Sequence, residues 1–250
     1  MISAVTDRET LDRLLDGRAD IFTGKIRALA DGYGFGYDFC TFAAQDDTAV
    51  VGSYYGDAAV AQTGELNDEQ AEELASFLTF GQYRKLLMPY TLCERLGLSD
   101  KAEKLCLMKC KDDVKATVGY DKEKPVTDSP LGEIYEIVSG GFDIDRDMWY
   151  TDTSHMLRHG VARAYTLAGN ACAIRMFAAD GVSYISYVCT RPEARGRGLA
   201  KALLRHICAE NASGGFDTYV LCRDELRLFY EGAGFSLTDF AGELIVTSES

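Results

Sequence analysis

The residues best suited to chemistry lie in one run, Arg191-Pro192-Glu193-Ala194-Arg195-Gly196-Arg197-Gly198-Leu199-Ala200-Lys201-Ala202-Leu203-Leu204-Arg205, which carries five cations and one acid. The 250-residue chain around it has a formal net charge of -13. A strongly acidic chain that gathers cations and glycines in one place has the means to hold an anion. The first turn of a helix offers backbone N–H groups without partners and the positive end of the helix dipole. Gly196 and Gly198 let a bulky anion approach the backbone, and Arg195 and Arg197 add charge-assisted hydrogen bonds. With a helix beginning at about Gly196, the cations Arg197, Lys201 and Arg205 recur every four residues on one face. Like charges at that spacing cost roughly 0.2–0.5 kcal/mol per pair, which is small, so a solvated basic face accounts for the charge about as well as an anion does. The register of the glycines is the more informative feature.

The elements around the run are legible from periodicity. Val182–Thr190, rich in β-branched and aromatic residues, reads as a strand that leads into it. Leu199, Ala202, Leu203 and Ile207 then form the apolar face of a helix. Upstream, 161–167 and 171–177 flank Ala168-Gly169-Asn170 as a hairpin, and Glu133–Val138 reads as a short strand followed by a helical or irregular stretch over 143–158. Downstream come a strand at 217–222, a short helix at 225–231 and a closing strand at 235–247. The order β-α-β-β-β-α-β-α-β predicts a mixed α/β sandwich, a central mixed sheet flanked by helices. Residues 1–112 give a blurred version of that order: helices over 7–16 and 19–31, strands at 37–44, 49–55 and 58–62, a helix from Asp68 to Leu78 and a strand at 83–88. Residues 113–130 cluster charge and hold two of the four prolines, Pro125 and Pro130, and are expected to link a first domain, 1–112, to a second, 131–250.

Known phosphate loops fit the run poorly. No Gly-Lys-Ser/Thr follows, as a Walker loop requires, and the third glycine and early strand of a dinucleotide fingerprint are missing. Instead, Arg195-x-x-Gly198-x-Ala200 between strand and helix resembles the R/Q-x-x-G-x-G/A signature of the GNAT family of N-acetyltransferases. Leu228-Phe229-Tyr230-Glu231-Gly232-Ala233-Gly234-Phe235 resembles the FYexxGF ending of the same family, in the expected order. The resemblance covers about 130–250; over 1–112 it is architectural, a degenerate GNAT-like half that makes the whole a tandem GNAT fold. It implies acetyl-CoA as co-substrate and a primary amine as acceptor. Backbone groups of Val188, Cys189 and Thr190 would pair with the pantetheine arm as an added strand does. The backbone of Arg195, Gly196, Arg197, Gly198, Leu199, Ala200 and Lys201 would hold the pyrophosphate. Tyr230 would protonate the departing thiolate, a role open to a phenol with a pKa of about 10, and more so if its surroundings lowered that value.

Two departures stand out. The asparagine common about seven residues before the tyrosine is replaced by Arg223, and Val182–Thr190 carries no glutamate to act as base. Water, or a carboxylate from elsewhere such as Asp152, Glu133 or Glu136, is the alternative base. Trp149, Tyr150 and Asp152 lie where the resemblance implies the acceptor pocket. His155 and His159, at helical spacing nearby, read as packing or capping residues. No metal is expected, since the chain has three histidines and no Cys-x-x-Cys pair. The eight cysteines sit mostly in apolar runs and read as small buried thiols. The acidic charge argues against nucleic acid and suits a small cationic amine. Neither a membrane span nor a signal peptide is legible, so a cytoplasmic location is expected. Gly32-Tyr33-Gly34-Phe35-Gly36 follows a helix and reads as its stop. A CoA-sensing or interaction module without turnover is the rival reading.

Overall fold

The computed structural model describes residues 1–112, 126–127 and 129–246, so 113–125 and 128 of the expected linker and Thr247 of the closing strand lie outside it. The chain packs as two compact units, Leu107–Thr238 and a second made of Met1–Cys106 with the residues from Asp239 onward.

In the first unit β1 (Ile2–Ala4), β2 (Cys40–Gln45), β3 (Ala49–Tyr54) and β4 (Asp57–Gln62) are antiparallel neighbours, and β5 (Lys85–Pro89) joins β4 in parallel. The residues of β12 (Phe235–Ile245) from Asp239 return to this unit, Ala241 to Ile245 pairing with β5. Helices α1 (Arg8–Leu14), α2 (Ile21–Tyr33), α3 (Asp68–Phe80) and α4 (Tyr90–Arg95) belong here. Asp20 and Asn67 cap α2 and α3 through capping boxes, which satisfies N–H groups at both starts. Leu74, Leu78 and Leu92 pack with Val51, Val60, Leu86, Met88 and Leu244 in one core, while Gly52 lets Ile26 of α2 close on β3. Gly34, with φ +67°, ends α2, so the glycine cluster there is the helix stop its position suggested. β1, α4 and the strand β6 (Glu103–Cys110) are additions to the elements read from the sequence.

The second unit holds β7 (Val126–Thr127), α5 (Leu131–Val138), α6 (Arg146–Arg158), β8 (Arg163–Leu167), β9 (Ala171–Ala179), β10 (Val182–Thr190), α7 (Leu199–Ser213), β11 (Asp217–Cys222) and α8 (Arg227–Ala233). Its sheet runs β11-β10-β9-β8-β7, with Leu107–Cys110 of β6 beside β11 and Phe235–Thr238 of β12 beyond. β10 and β11 are parallel; the other pairs from β10 to β7 are antiparallel. Helix α5 packs toward β9 and β10, and α7 toward β8 to β11. The mixed sheet flanked by helices expected from the sequence is thus the fold observed.

One element differs in kind. Residues 133–138, read as a strand, lie in α5. Ile134, Ile137 and Val138 are buried while Glu133 and Glu136 are exposed, a three-and-four spacing that a short β-branched run disguises. All eight cysteines are buried thiols. Among the described residues no helix is long and apolar enough to cross a membrane.

A buried polar clamp ties the last turn of α7 to the sheet. Asn211 Nδ2 donates to Ser183 Oγ at 2.8 Å and Thr218 Oγ1 at 3.0 Å, and Arg175 Nη1 donates to Asn211 Oδ1 at 3.2 Å. Beside it Glu210 accepts from Tyr165 Oη at 2.7 Å and Arg163 Nη1 at 2.8 Å. Asn211→Leu leaves these buried partners unsatisfied and should lower unfolding free energy by roughly 1–3 kcal/mol. Urea denaturation measures it, and a loss below about 0.5 kcal/mol would contradict the clamp.

Candidate active site

β10 decides the geometry. Its parallel pairing with β11 ends at Ile185↔Val220, although β10 continues to Thr190 and β11 to Cys222. From Ser186 onward the two strands part, and the β11-facing edge of β10 loses its sheet partner. On its other side β10 stays with β9: Ser186 faces Ile174, Cys189 faces Cys172 and Thr190 faces Ala171. Tyr187 and Val188 therefore oppose the single residue Ala173, a bulge that bends the strand. Tyr187 adopts φ +52°, a left-handed conformation uncommon outside glycine. The Cys172 thiol, 3.6 Å from the Tyr187 carbonyl oxygen, donates to it beneath the bulge.

β10 feeds a one-turn 3-10 helix at Pro192–Ala194 and then the glycines. The helix proper starts at Leu199, so Arg197 lies in the exposed loop and does not share a helix face with Lys201 and Arg205; the four-residue spacing was carried one turn too far. Gly198 is the N-cap at φ +77° and Gly196 lies at φ +76°. Both need the left-handed region, and a Cβ added at either would meet nothing within 4 Å, so the space before the helix is open. Whereas Asp20, Asn67 and Asp145 cap α2, α3 and α6 with side chains, α7 has no side-chain cap. Among the described residues, the N–H groups of Gly198, Leu199, Ala200 and Lys201 find no backbone acceptor. Arg195 Nε donates to the Thr190 carbonyl at 3.3 Å and pins the loop to the end of β10. Arg191 pairs with Glu136 at 3.0 Å. The Lys201 ammonium turns toward α8, 5.9 Å from the centre of the Phe229 ring.

Tyr230 is buried on α8, edge-on to Phe229 at 5.0 Å and Phe235 at 5.8 Å. Burial pushes its pKa up, with smaller contributions in the same direction from Cys222 at the end of β11 and Tyr184 on β10. The shift runs opposite to the lowering that would favour proton release. It keeps the hydroxyl protonated through neutral and mildly alkaline pH. Arg223, at the asparagine position, is exposed just after β11.

Asp145 caps α6 by accepting from Met148 N–H at 2.8 Å, and the helix buries Trp149, Thr153 and Met156 on one side. Half-buried Asp152 lies three residues from Trp149 on that side, whereas Tyr150 is 40% exposed and turns outward. His155 and His159 stack at 4.0 Å, and His159 caps the helix end. Trp149 meets Tyr135 of α5 at 5.6 Å and Tyr187 at 6.0 Å, and Tyr187 meets Phe142 at 5.3 Å. None of these three partners drew attention in the sequence. Reading a strand at 133–138 hid Tyr135, and simple alternation along β10 hid Tyr187, whose bulge no sequence period announces. Burial raises the thiol pKa of Cys189, which lies against the backbone of Gly141. No group of three or more His, Cys, Asp or Glu positioned to hold a metal ion occurs among the described residues.

Residues 158–237 match the family model for the acetyltransferase (GNAT) domain. No curated protein sequence matches the chain. Among solved structures, a GCN5-related N-acetyltransferase from Kribbella flavida superposes with a TM-score of 0.65 at 11% identity, over 91% of this chain and 95% of its own. A Drosophila protein gives 0.69 at 12% identity over 98% of both chains. A tandem GNAT protein from the clavulanic acid biosynthesis pathway gives 0.59 at 10% identity, over 100% of this chain and 99% of its own. Residues 158–237 thus resemble a GNAT acetyltransferase domain, and the fold is similar to that of tandem GNAT structures.

Gly198→Ala forces a Cβ into the left-handed region and should cost roughly 1–2 kcal/mol of stability despite the open space around it. Thermal and urea unfolding check this; an unchanged midpoint would show that the loop does not need φ +77° there.

Proposed function

We propose that this protein is an N-acetyltransferase that moves an acetyl group from acetyl-CoA to a primary amine. The observation that carries the reading is the conjunction of two open backbone features. β10 parts from β11 after Ile185, and a few residues later α7 begins with uncapped N–H groups behind left-handed Gly198. A long ligand with an amide-bearing arm and a pyrophosphate matches both: the arm takes the strand edge and the anion takes the helix mouth. The space at Gly196 and Gly198 supports the fit, because among the described residues nothing lies within 4 Å of where a Cβ would stand.

In this reading Val188, Cys189 and Thr190 offer backbone groups to the pantetheine arm. The loop from Arg195 through Gly196, Arg197, Gly198, Leu199 and Ala200 to Lys201 encloses the pyrophosphate. Arg195 Nε donates to the Thr190 carbonyl, which supports a guanidinium that joins the end of the strand to the anion loop. Acetyl-CoA supplies an acetyl group activated as a thioester. The amine attacks that carbonyl directly while backbone N–H groups polarise it. Tyr230, protonated at neutral pH, is the group we assign to donate a proton to the departing sulfur, against the upward push that burial gives its pKa. We assign the amine's proton to Asp152, half-buried on the Trp149 side of α6, because Glu133 and Glu136 are exposed. Every residue in this account lies in the unit Leu107–Thr238. We assign no CoA site to residues 1–112, which lack the Arg-x-x-Gly-x-Gly/Ala signature.

The absence of any carboxylate on β10 favours the rival, a CoA-binding module without turnover. Thiol release from acetyl-CoA across a panel of amines separates the two. Tyr230→Phe should lower kcat by roughly 100-fold and leave acetyl-CoA affinity within about twofold. An unchanged kcat would remove the tyrosine from the chemistry. Arg195→Glu should weaken acetyl-CoA binding at least tenfold by calorimetry, and unaltered affinity would refute the pyrophosphate site.

A further inference from the structure

The ring cluster beside the bulge of β10 carries information about the acceptor. Four aromatic side chains come together from four places in the chain: Tyr135 on α5, Phe142 in the loop after it, Trp149 on α6 and Tyr187 at the bulge. Tyr187 is held there by a left-handed backbone, a conformation that costs free energy and persists only where its surroundings enforce it. Trp149 is 5% exposed, and its indole Nε1–H is buried without a hydrogen-bond partner among the described residues. An orphaned buried donor of this kind is uncommon in native proteins, and an acceptor oxygen carried by a ligand would satisfy it. Phe142 is 38% exposed, and Tyr135 and Tyr187 are half-buried, so ring surface remains available at the cluster's edge.

The charges around the rings point the same way. Arg146 lies 5.6 Å from the centre of the Tyr135 ring, and Glu136 is paired with Arg191. Asp152 is half-buried on the Trp149 side of α6, three residues further along the helix. The second ammonium of a polyamine would meet the Arg146 guanidinium here. A monoamine with a flat body would meet ring faces, one carboxylate for its ammonium, and one N–H donor.

We propose that the acceptor is a monoamine with a planar aromatic body that carries a hydrogen-bond-accepting oxygen, seated against Tyr135, Phe142, Trp149 and Tyr187. The proposal rests on the transferase reading above and narrows it from any primary amine to one chemical class.

Trp149 is the sole tryptophan of the chain, so its fluorescence reports on this cluster alone. Titration of the full chain, saturated with coenzyme A, compares n-butylamine, 2-phenylethylamine and 2-(4-methoxyphenyl)ethylamine. The phenyl amine should bind at least roughly tenfold more tightly than the alkyl amine. The methoxy oxygen should add about a further threefold or more, as a hydrogen bond to a buried donor does. Tyr187→Leu, which keeps the fluorophore, should erase most of the ring preference. Trp149→Phe, followed by calorimetry, should erase the oxygen's contribution while leaving the ring preference. Equal affinity for alkyl and aryl amines, or an oxygen contribution that survives Trp149→Phe, overturns the proposal. Thiol release measured in parallel keeps the two levels apart. Fast turnover of n-butylamine and the aryl amines alike overturns the acceptor class and leaves the transferase standing. Absence of both acetyl-CoA binding and thiol release overturns the transferase reading, and the acceptor class with it.

Discussion

The loss of pairing between β10 and β11 after Ile185 and Val220 is the constraint on which the rest depends. A strand inside a sheet has its backbone N–H and C=O groups committed on both sides. Once the strands part, β10 keeps β9 on one side and offers polar backbone on the other, which is costly unless something satisfies it. The bulge at Tyr187 and Val188 sits within the same stretch and bends the strand there. The clamp of Asn211 on Ser183 and Thr218, which face each other across β10 and β11, holds the strands together just before they part. The fork therefore has a fixed closed end and an open one.

Helix α7 links both ends of this arrangement. Its last turn carries the clamp, and its first turn carries the uncapped N–H groups behind Gly198. A helix start stabilised by a side-chain cap would have filled that position, as Asp20 and Asn67 do elsewhere. Here a glycine occupies the N-cap, and the unsatisfied groups stay available to an anion. The local cations are not interchangeable in this setting. Arg195 braces the loop against Thr190, Arg191 is committed to Glu136, and the Lys201 ammonium faces α8. The basic run is thus a set of different tasks, and in the proposed reading the backbone is the principal anion ligand.

Much of this was legible in the sequence. The strand into the run, the helix out of it and the hairpin of β8 and β9 follow from period and residue type, while Tyr230 was singled out by the family resemblance. The start of α7 was less so. Glycine at an N-cap leaves no side-chain mark, so the cations at 197, 201 and 205 read as one helix face although Arg197 precedes the helix. α5 was misread because six residues with β-branched and aromatic members fit a strand as readily as a helical turn and a half. The return of β12 to pair with β5 is a long-range contact that local pattern does not encode. The same holds for the ring cluster, since Tyr187 reaches Trp149 and Phe142 only through a left-handed backbone at a bulge.

Amide hydrogen exchange with and without acetyl-CoA tests the central claim most directly, because both halves of the proposed site are backbone. The account predicts that ligand slows exchange at Val188, Cys189 and Thr190 together with Gly198, Leu199, Ala200 and Lys201, with residues 1–106 unaffected. Ligand-dependent protection confined to other segments, or none at these amides under saturating acetyl-CoA, would contradict it.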